Sequence, residues 1–286
     1  PFALGEPGRP IQENDAVIFF NFRPDGSKQL ATAFTASDFS EFRRTLPANL
    51  YVATMTYYGD SVNASVAYPT ITVDNSLGQV LATEGLVQLR IAETERYAHV
   101  TYFLNGYRQE PFENEYRVLI PSKNLPRPDD EPDLMLPAVT ERIIASINEG
   151  GFDVIIANIP NADVIAHSGN FSATVQAVEA IDASVRSIMD ACLEQNGTLI
   201  ITADHGNAEQ LKNPLTSELE TGHNESLVPF YLVGSDFVSS KTPSSVQRIE
   251  SEAVGILTDV APTILDILGI RKPKEMTGES LARTLQ

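Results

Sequence analysis

The chain has 286 residues, of which 20 are Lys or Arg and 38 are Asp or Glu, giving a formal net charge of −18. Such an acidic excess disfavours nucleic acid and anionic membrane as partners, and an anionic substrate must then be drawn in by local cations. Hydrophobic residues make up 42% of the chain, ample for a sizeable core in one or two domains. The single cysteine, Cys192, excludes an internal disulfide framework and lies in an apolar helical pattern, where it reads as a packed small hydrophobe. No apolar stretch reaches the roughly 18–20 residues needed to span a bilayer, and no charged-then-apolar signal opens the chain, so a cytoplasmic enzyme is expected.

In chain order, the first elements are a strand over Ala16–Phe22, a helix over Ser27–Arg43 interrupted near Thr35 to Ser37, and a strand over Leu50–Thr56. A boundary is expected near Ser61 to Tyr68. From about Ile71 onward helices and strands alternate: helix Leu77–Glu84, strand Tyr116–Ile120, helix Pro137–Asn148, strand 153–159, helix Ser172–Gln195, strands 198–203 and 229–234, and helix Gly255–Leu268. Alternation of this kind predicts an α/β fold, a sheet flanked by helices. The proline-rich, acidic stretch from Pro121 to Pro137 reads as a surface connector, with Asp129–Asp130–Glu131 a solvated face. Ser239 to Glu252 is polar and Ser-rich and reads as a loop.

Chemistry gathers at the strand ends. Thr198–Thr202 is short, β-branched and apolar, as in a strand buried on both faces, and it delivers Asp204 and His205 to the crevice where open α/β sheets bind ligands. The strand at 153–159 leads into Asp163 and His167, four residues apart, so one helical turn brings both to the same side. Thr221–Gly222–His223 precedes the strand at 229–234. Three of the four histidines in the chain thus flank strands with Asp nearby. Asp163, His167, Asp204, His205 and His223 are too many for one closed tetrahedral site but suit two neighbouring ions, a combination that favours phosphoryl or sulfuryl transfer. Mixed carboxylate and imidazole donors allow Zn, Mn or Fe and argue against a dedicated Ca site.

ADHGNAEQL (203–211), NADVIAHSG (161–169) and TGH followed by VPF (221–230) resemble the metal motifs of the cofactor-independent phosphoglycerate mutases, within the alkaline phosphatase superfamily. DAVIFFNFRPD (15–25) is similar to that family's substrate-arginine strand, and QLRIAETERYAHVTYF (88–103) to another long signature. LTDVAPTILDILGI (257–270) and MTGESL (276–281) resemble its C-terminal helix and tail. The resemblance implies an alkaline phosphatase-like sheet over 68–286, lacking its N-terminal segment, with 1–67 the C-terminal part of a second α/β domain, the substrate-binding or transferase domain. It also implies a helix over Arg96–Asn105.

By the same resemblance, Asp163, His167 and His223 hold one ion while Asp204 and His205 hold the other, the two divalent ions usually being manganese. Arg23 is implied as a substrate-binding arginine. Arg96 stands where the family has a catalytic lysine, keeping the charge without the compact ammonium and adding a second substrate-binding cation. Gly26 replaces a second arginine of the substrate motif, a loss on the order of 1.5–3 kcal/mol for a charged hydrogen bond that Lys28 is positioned in sequence to offset. His99 is read as structural. The implied reaction is interconversion of 3-phosphoglycerate and 2-phosphoglycerate through a phosphoserine, in an enzyme that is a monomer when whole.

The family's nucleophilic serine, an early metal-binding aspartate and further substrate arginines have no match here. The expectation is therefore the C-terminal part of a longer mutase, inactive alone, whose partner is its own N-terminal portion. Two other readings share some of these features. A different phosphohydrolase or phosphomutase of the superfamily would keep the two-ion site without the NFRPD and AETERYAHV segments, and a degenerate metal-binding protein would account for Gly26 and the missing nucleophile.

Overall fold

The computed structural model describes residues 10–69, 71, 73–238, 242, 246 and 252–285, and of Asp25 the backbone only. The loop expected over Ser239–Glu252 lies outside them apart from Thr242, Val246 and Glu252. The chain divides into two compact units, Pro1–Thr72 and Val73–Gln286. No described helix is long and apolar enough to cross a membrane.

The first unit is a three-stranded parallel sheet with β2 (Tyr51–Thr54) between β1 (Ala16–Phe19) and β3 (Ser65–Val66). Period-two alternation sorts its residues. Phe19 and its neighbour Thr54 lie on the face where Phe19 meets Phe34 and Tyr58 edge-on, with centroids 5.8 and 6.5 Å apart. Phe34 comes from helix α1 (Pro24–Thr35), which opens on Pro24, whose fixed φ suits the first turn. The helix stops at Thr35, short of the expected Arg43. The Thr32 and Thr35 hydroxyls turn back onto the Lys28 and Ala31 carbonyls, and Ala36 leaves in an extended conformation. Beyond it Phe39 and Phe42 pack on each other, with the Arg44 guanidinium 5.0 Å over Phe39.

The second unit is built on β4 (Gln88–Glu93), a strand absent from the expected set. It lies between β5 (Glu115–Ile120) and β6 (Val154–Ala157), parallel to both. Gln88, Arg90 and Glu93 give it a polar look, yet all six residues are buried. Leu89 and Ile91 pack against Val139 and Ile143 of α3 (Leu136–Glu149) and Ile188 of α5 (Phe171–Glu194). On the other face Gln88 donates to the Gly78 carbonyl at 2.9 Å. That carbonyl belongs to α2 (Leu77–Thr83), whose Leu77, Val80 and Leu81 join Val154, Ile156 and Leu265 of the C-terminal helix Val260–Ile267. Helices thus cover both faces of the central strand β4, which is why it is buried throughout even though it carries polar residues. Arg90 is fully buried, and the loss of solvent draws its guanidinium down to about 10, with Glu115 opposing the shift. Gly150 closes α3 in the left-handed conformation, φ 66°, that glycine adopts without strain.

Three strand ends then set the chemistry. β4 runs into a 3-10 turn (Thr94–Arg96) and a π-helical turn (His99–Phe103), in the stretch where a helix over Arg96–Asn105 is expected. β6 leads into the short helix α4 (Asn161–Ala166). The strand β7 (Leu199–Thr202), antiparallel to β8 (Phe230–Val233), ends just before Asp204 and His205. The C-terminal helix begins at Val260, after a 3-10 turn over Leu257–Asp259, later than the Gly255 expected.

Candidate metal centre

Asp163 sits in α4 and His167 is its C-terminal cap, so the four-residue spacing becomes one turn of backbone, closed by His167 N–H to the Asp163 carbonyl at 3.1 Å. His223 comes from the loop ahead of β8. Its Nε2 lies 3.1 Å from Asp163 Oδ1 and 3.2 Å from His167 Nε2, and His167 Nε2 lies 3.3 Å from the same carboxylate oxygen. Donors sharing one ion at metal–ligand distances of roughly 2.0–2.1 Å stand about 3.0–3.4 Å apart, so this triangle fits a cation as it is. Among the described residues this is the one group of three such side chains converging on a point. The oxygen-and-imidazole set suits a borderline transition metal such as Mn, Fe or Zn.

The surroundings prepare these atoms. His167 Nδ1 lies 2.6 Å from the Thr221 carbonyl, an oxygen that only accepts, which puts the proton on Nδ1 and leaves the Nε2 lone pair facing the triangle. Asp163 Oδ1 accepts from the Asn207 amide at 2.7 Å, while Oδ2 pairs with the Arg96 guanidinium. Burial pushes the Asp163 carboxyl up, but the Asn207 hydrogen bond, the charge of Arg96 and, when they are protonated, His167 and His223 outweigh it and hold it below the ordinary aspartate range. The carboxylate is therefore ionised across the neutral range, as a metal ligand must be.

Asp204 and His205 are arranged differently. The Asp204 side chain is 76% exposed and its Oδ1 lies 3.5 Å from His205 Nε2. The His205 ring stacks on His223, with centroids 3.6 Å apart and planes 19° off parallel. The two residues thus adjoin the triangle without belonging to it. Arg96, in the 3-10 turn after β4, reaches the centre directly through Asp163. Arg23 is in the first unit, exposed at the N-cap of α1, its backbone N–H held by the Asn21 side chain at 2.9 Å. A Cβ on Gly26 would meet nothing within 4 Å, and Lys28 Nζ instead reaches toward Gly59. His99 packs edge-on against Phe103 at 5.5 Å. Asn207, Glu209 and the Thr221 carbonyl were not singled out from sequence, although the first two lie inside the run 203–211.

Residues 30–272 match the metalloenzyme superfamily. The chain is 45% identical over 277 residues to 2,3-bisphosphoglycerate-independent phosphoglycerate mutase 1 of Methanosarcina barkeri, covering 97% of this chain and 52% of that protein. It is 42% identical over 271 residues to the 2,3-bisphosphoglycerate-independent phosphoglycerate mutase of Francisella tularensis subsp. novicida, covering 95% of this chain and 51% of that protein. In three dimensions it resembles Leishmania mexicana phosphoglycerate mutase, whose crystal structure was determined at low cobalt concentration, with a TM-score of 0.78, 28% identity, and coverage of 94% of this chain and 51% of that one. The chain spans about half the length of the curated relatives it matches. The matched segment includes every residue of the donor triangle, and the chain belongs to the metalloenzyme superfamily.

Proposed function

We propose that this chain is the metal-binding part of a 2,3-bisphosphoglycerate-independent phosphoglycerate mutase, and that the whole protein interconverts 3-phosphoglycerate and 2-phosphoglycerate in the cytoplasm as a monomer. The observation that carries this reading is the donor triangle of Asp163, His167 and His223, in a chain 45% identical to such a mutase. These three residues would hold one divalent ion, and Asp204 with His205 would contribute to a second, both manganese by preference. Bound there, such a pair supplies Lewis acidity that lowers a hydroxyl pKa and neutralises phosphoryl oxygens.

The remaining tasks fall to the chain's own groups. Arg96 fixes Asp163 with one N–H and keeps others for a phosphate oxygen, and Arg23 offers the forked guanidinium that suits a carboxylate or phosphate. Residues 1–67 act as the end of the substrate-binding domain and 68–286 as the metal-binding domain. Ser168 is unsuited as nucleophile: its hydroxyl donates to the Ile165 carbonyl at 2.6 Å and accepts from Asn170 N–H at 3.1 Å, closing the end of α4. The phosphoryl-accepting serine belongs to the portion that the relatives have beyond this chain.

Titration of the purified chain with manganese should show one strong site, and His223→Ala should weaken it greatly. Equal affinity in that variant removes His223 from the ligand set and the triangle from the argument.

A further inference from the structure

We propose that Asn207 and Glu209 are the positioning residues of this centre, setting its affinity for a divalent cation without touching the ion. The inference rests on the reading of Asp163, His167 and His223 as ligands. Asn207 is buried, and its amide donates at 2.7 Å to Asp163 Oδ1, the same oxygen that faces both imidazole Nε2 atoms. With Arg96 on Oδ2, the carboxylate is held at both oxygens and cannot rotate about its last bond. One lone pair of Oδ1 is thereby left toward the histidines.

Asn207 is fixed in turn by Glu209, whose Oε2 accepts the Asn207 backbone N–H at 2.8 Å. The other carboxylate oxygen points to where the loop carrying His223 returns. Gly206 and Asn224 form an antiparallel bridge there, with Asn224 N–H donating to the Gly206 carbonyl at 2.9 Å. A Cβ on Gly206 would stand 2.5 Å from Glu209 Oε1 and 2.9 Å from Ser226 Cβ, and closer still to Asn224 Oδ1, so only glycine lets the two loops approach. The Ser226 side chain, three residues after His223, hydrogen-bonds the Glu209 carboxylate, so one glutamate ties the segment bearing His205 and Asn207 to the segment bearing His223, and through Asn207 to Asp163. Neither Asn207 nor Glu209 is a member of the donor triangle.

Groups that orient metal ligands typically change affinity by about 10–100-fold when removed. The test is a cobalt(II) titration of the full chain, followed by visible absorption, which reports coordination, for the parent, Asn207→Ala, Glu209→Gln and His223→Ala. Expected are affinities about 10–100-fold weaker in the first two variants, an altered cobalt spectrum, and a urea midpoint of the metal-free protein matching the parent. The double variant should lose less than the product of the single losses, because Glu209 acts partly through Asn207. Parent-like affinity and spectrum in both variants, with His223→Ala weakened, would overturn this inference alone. A parent that binds no cobalt, or a His223→Ala protein that binds like the parent, removes the ligand reading and this inference with it. Should Asn207→Ala not fold, the shape-preserving Glu209→Gln decides by the same criteria.

Discussion

Gly26 shows how far a single residue can be read. As a departure from the substrate motif it appears in sequence as a lost cation, but its place as the third residue of α1 adds a stability consequence. Nothing lies within 4 Å of a Cβ there, and its φ is outside the left-handed region. Glycine in a helix costs about 0.5–1 kcal/mol relative to alanine, so Gly26→Ala should stabilise by that amount. Gly26→Arg should gain less, because a cation in the first turn opposes the helix dipole by about 0.3–1 kcal/mol. Urea denaturation checks both, and a loss of stability in the alanine variant would mean the space is not open. Asp163, His167 and His223 were legible among five candidates because Asp163 and His167 share a helical turn and histidines are scarce, but their grouping on one point followed only from the family resemblance. Asn207 and Glu209 were not, because their partners Asp163, Ser226 and Asn224 reach them only after the chain folds back.

Among the elements, those with strong periodicity came through with ends shifted by a few residues, as α3 and α5 show. β4 did not, since a strand carrying Gln88, Arg90 and Glu93 resembles neither a buried parallel strand nor an amphipathic helix. Only tertiary partners make it viable: the Gly78 carbonyl for Gln88, and the Met135 N–H, 3.3 Å away, for Glu93. Burial pushes the Glu93 carboxyl above its ordinary value, with Ser122, Met135 and Lys123 opposing and Glu95 reinforcing the shift. A group with a raised native pKa contributes stability that is present below its unfolded value and lost as pH rises through the native one. Glu93→Gln keeps an acceptor for Met135 and removes the charge. Its stability relative to the parent should therefore rise from about pH 4 to pH 8, read from urea midpoints at each pH. An identical difference at both ends would show that Glu93 is not charged at a cost in the folded protein.

At the scale of the whole molecule, the first unit has an all-parallel sheet with one face exposed among the described residues. Ile18 and Tyr51 lie on that face at 62% and 57% exposure, and Phe20 just beyond β1 is 82% exposed. All-parallel sheets occur almost only with both faces covered, and a bare apolar face of this kind marks a contact surface. The chain spans about half the length of the curated relatives it matches, and on the mutase reading proposed above the occupant is a portion corresponding to their other half. On the same reading, which puts the nucleophilic serine and further substrate cations outside this chain, the chain alone, supplied with manganese and carrying a net charge of −18, should not convert 3-phosphoglycerate. It should also bind a hydrophobic dye through the bare face, less so in Phe20→Ser. Adding the separately made remainder of a relative should quench the dye and restore turnover together, because covering the sheet and completing the site are one docking event. Turnover by the chain alone, persisting in Asp204→Ala, would refute both the missing-nucleophile argument and the assignment of Asp204. Dye quenching without turnover would separate the docking surface from the chemistry and leave Gly26 and Arg96, the two departures from the mutase pattern, as the residues to revert.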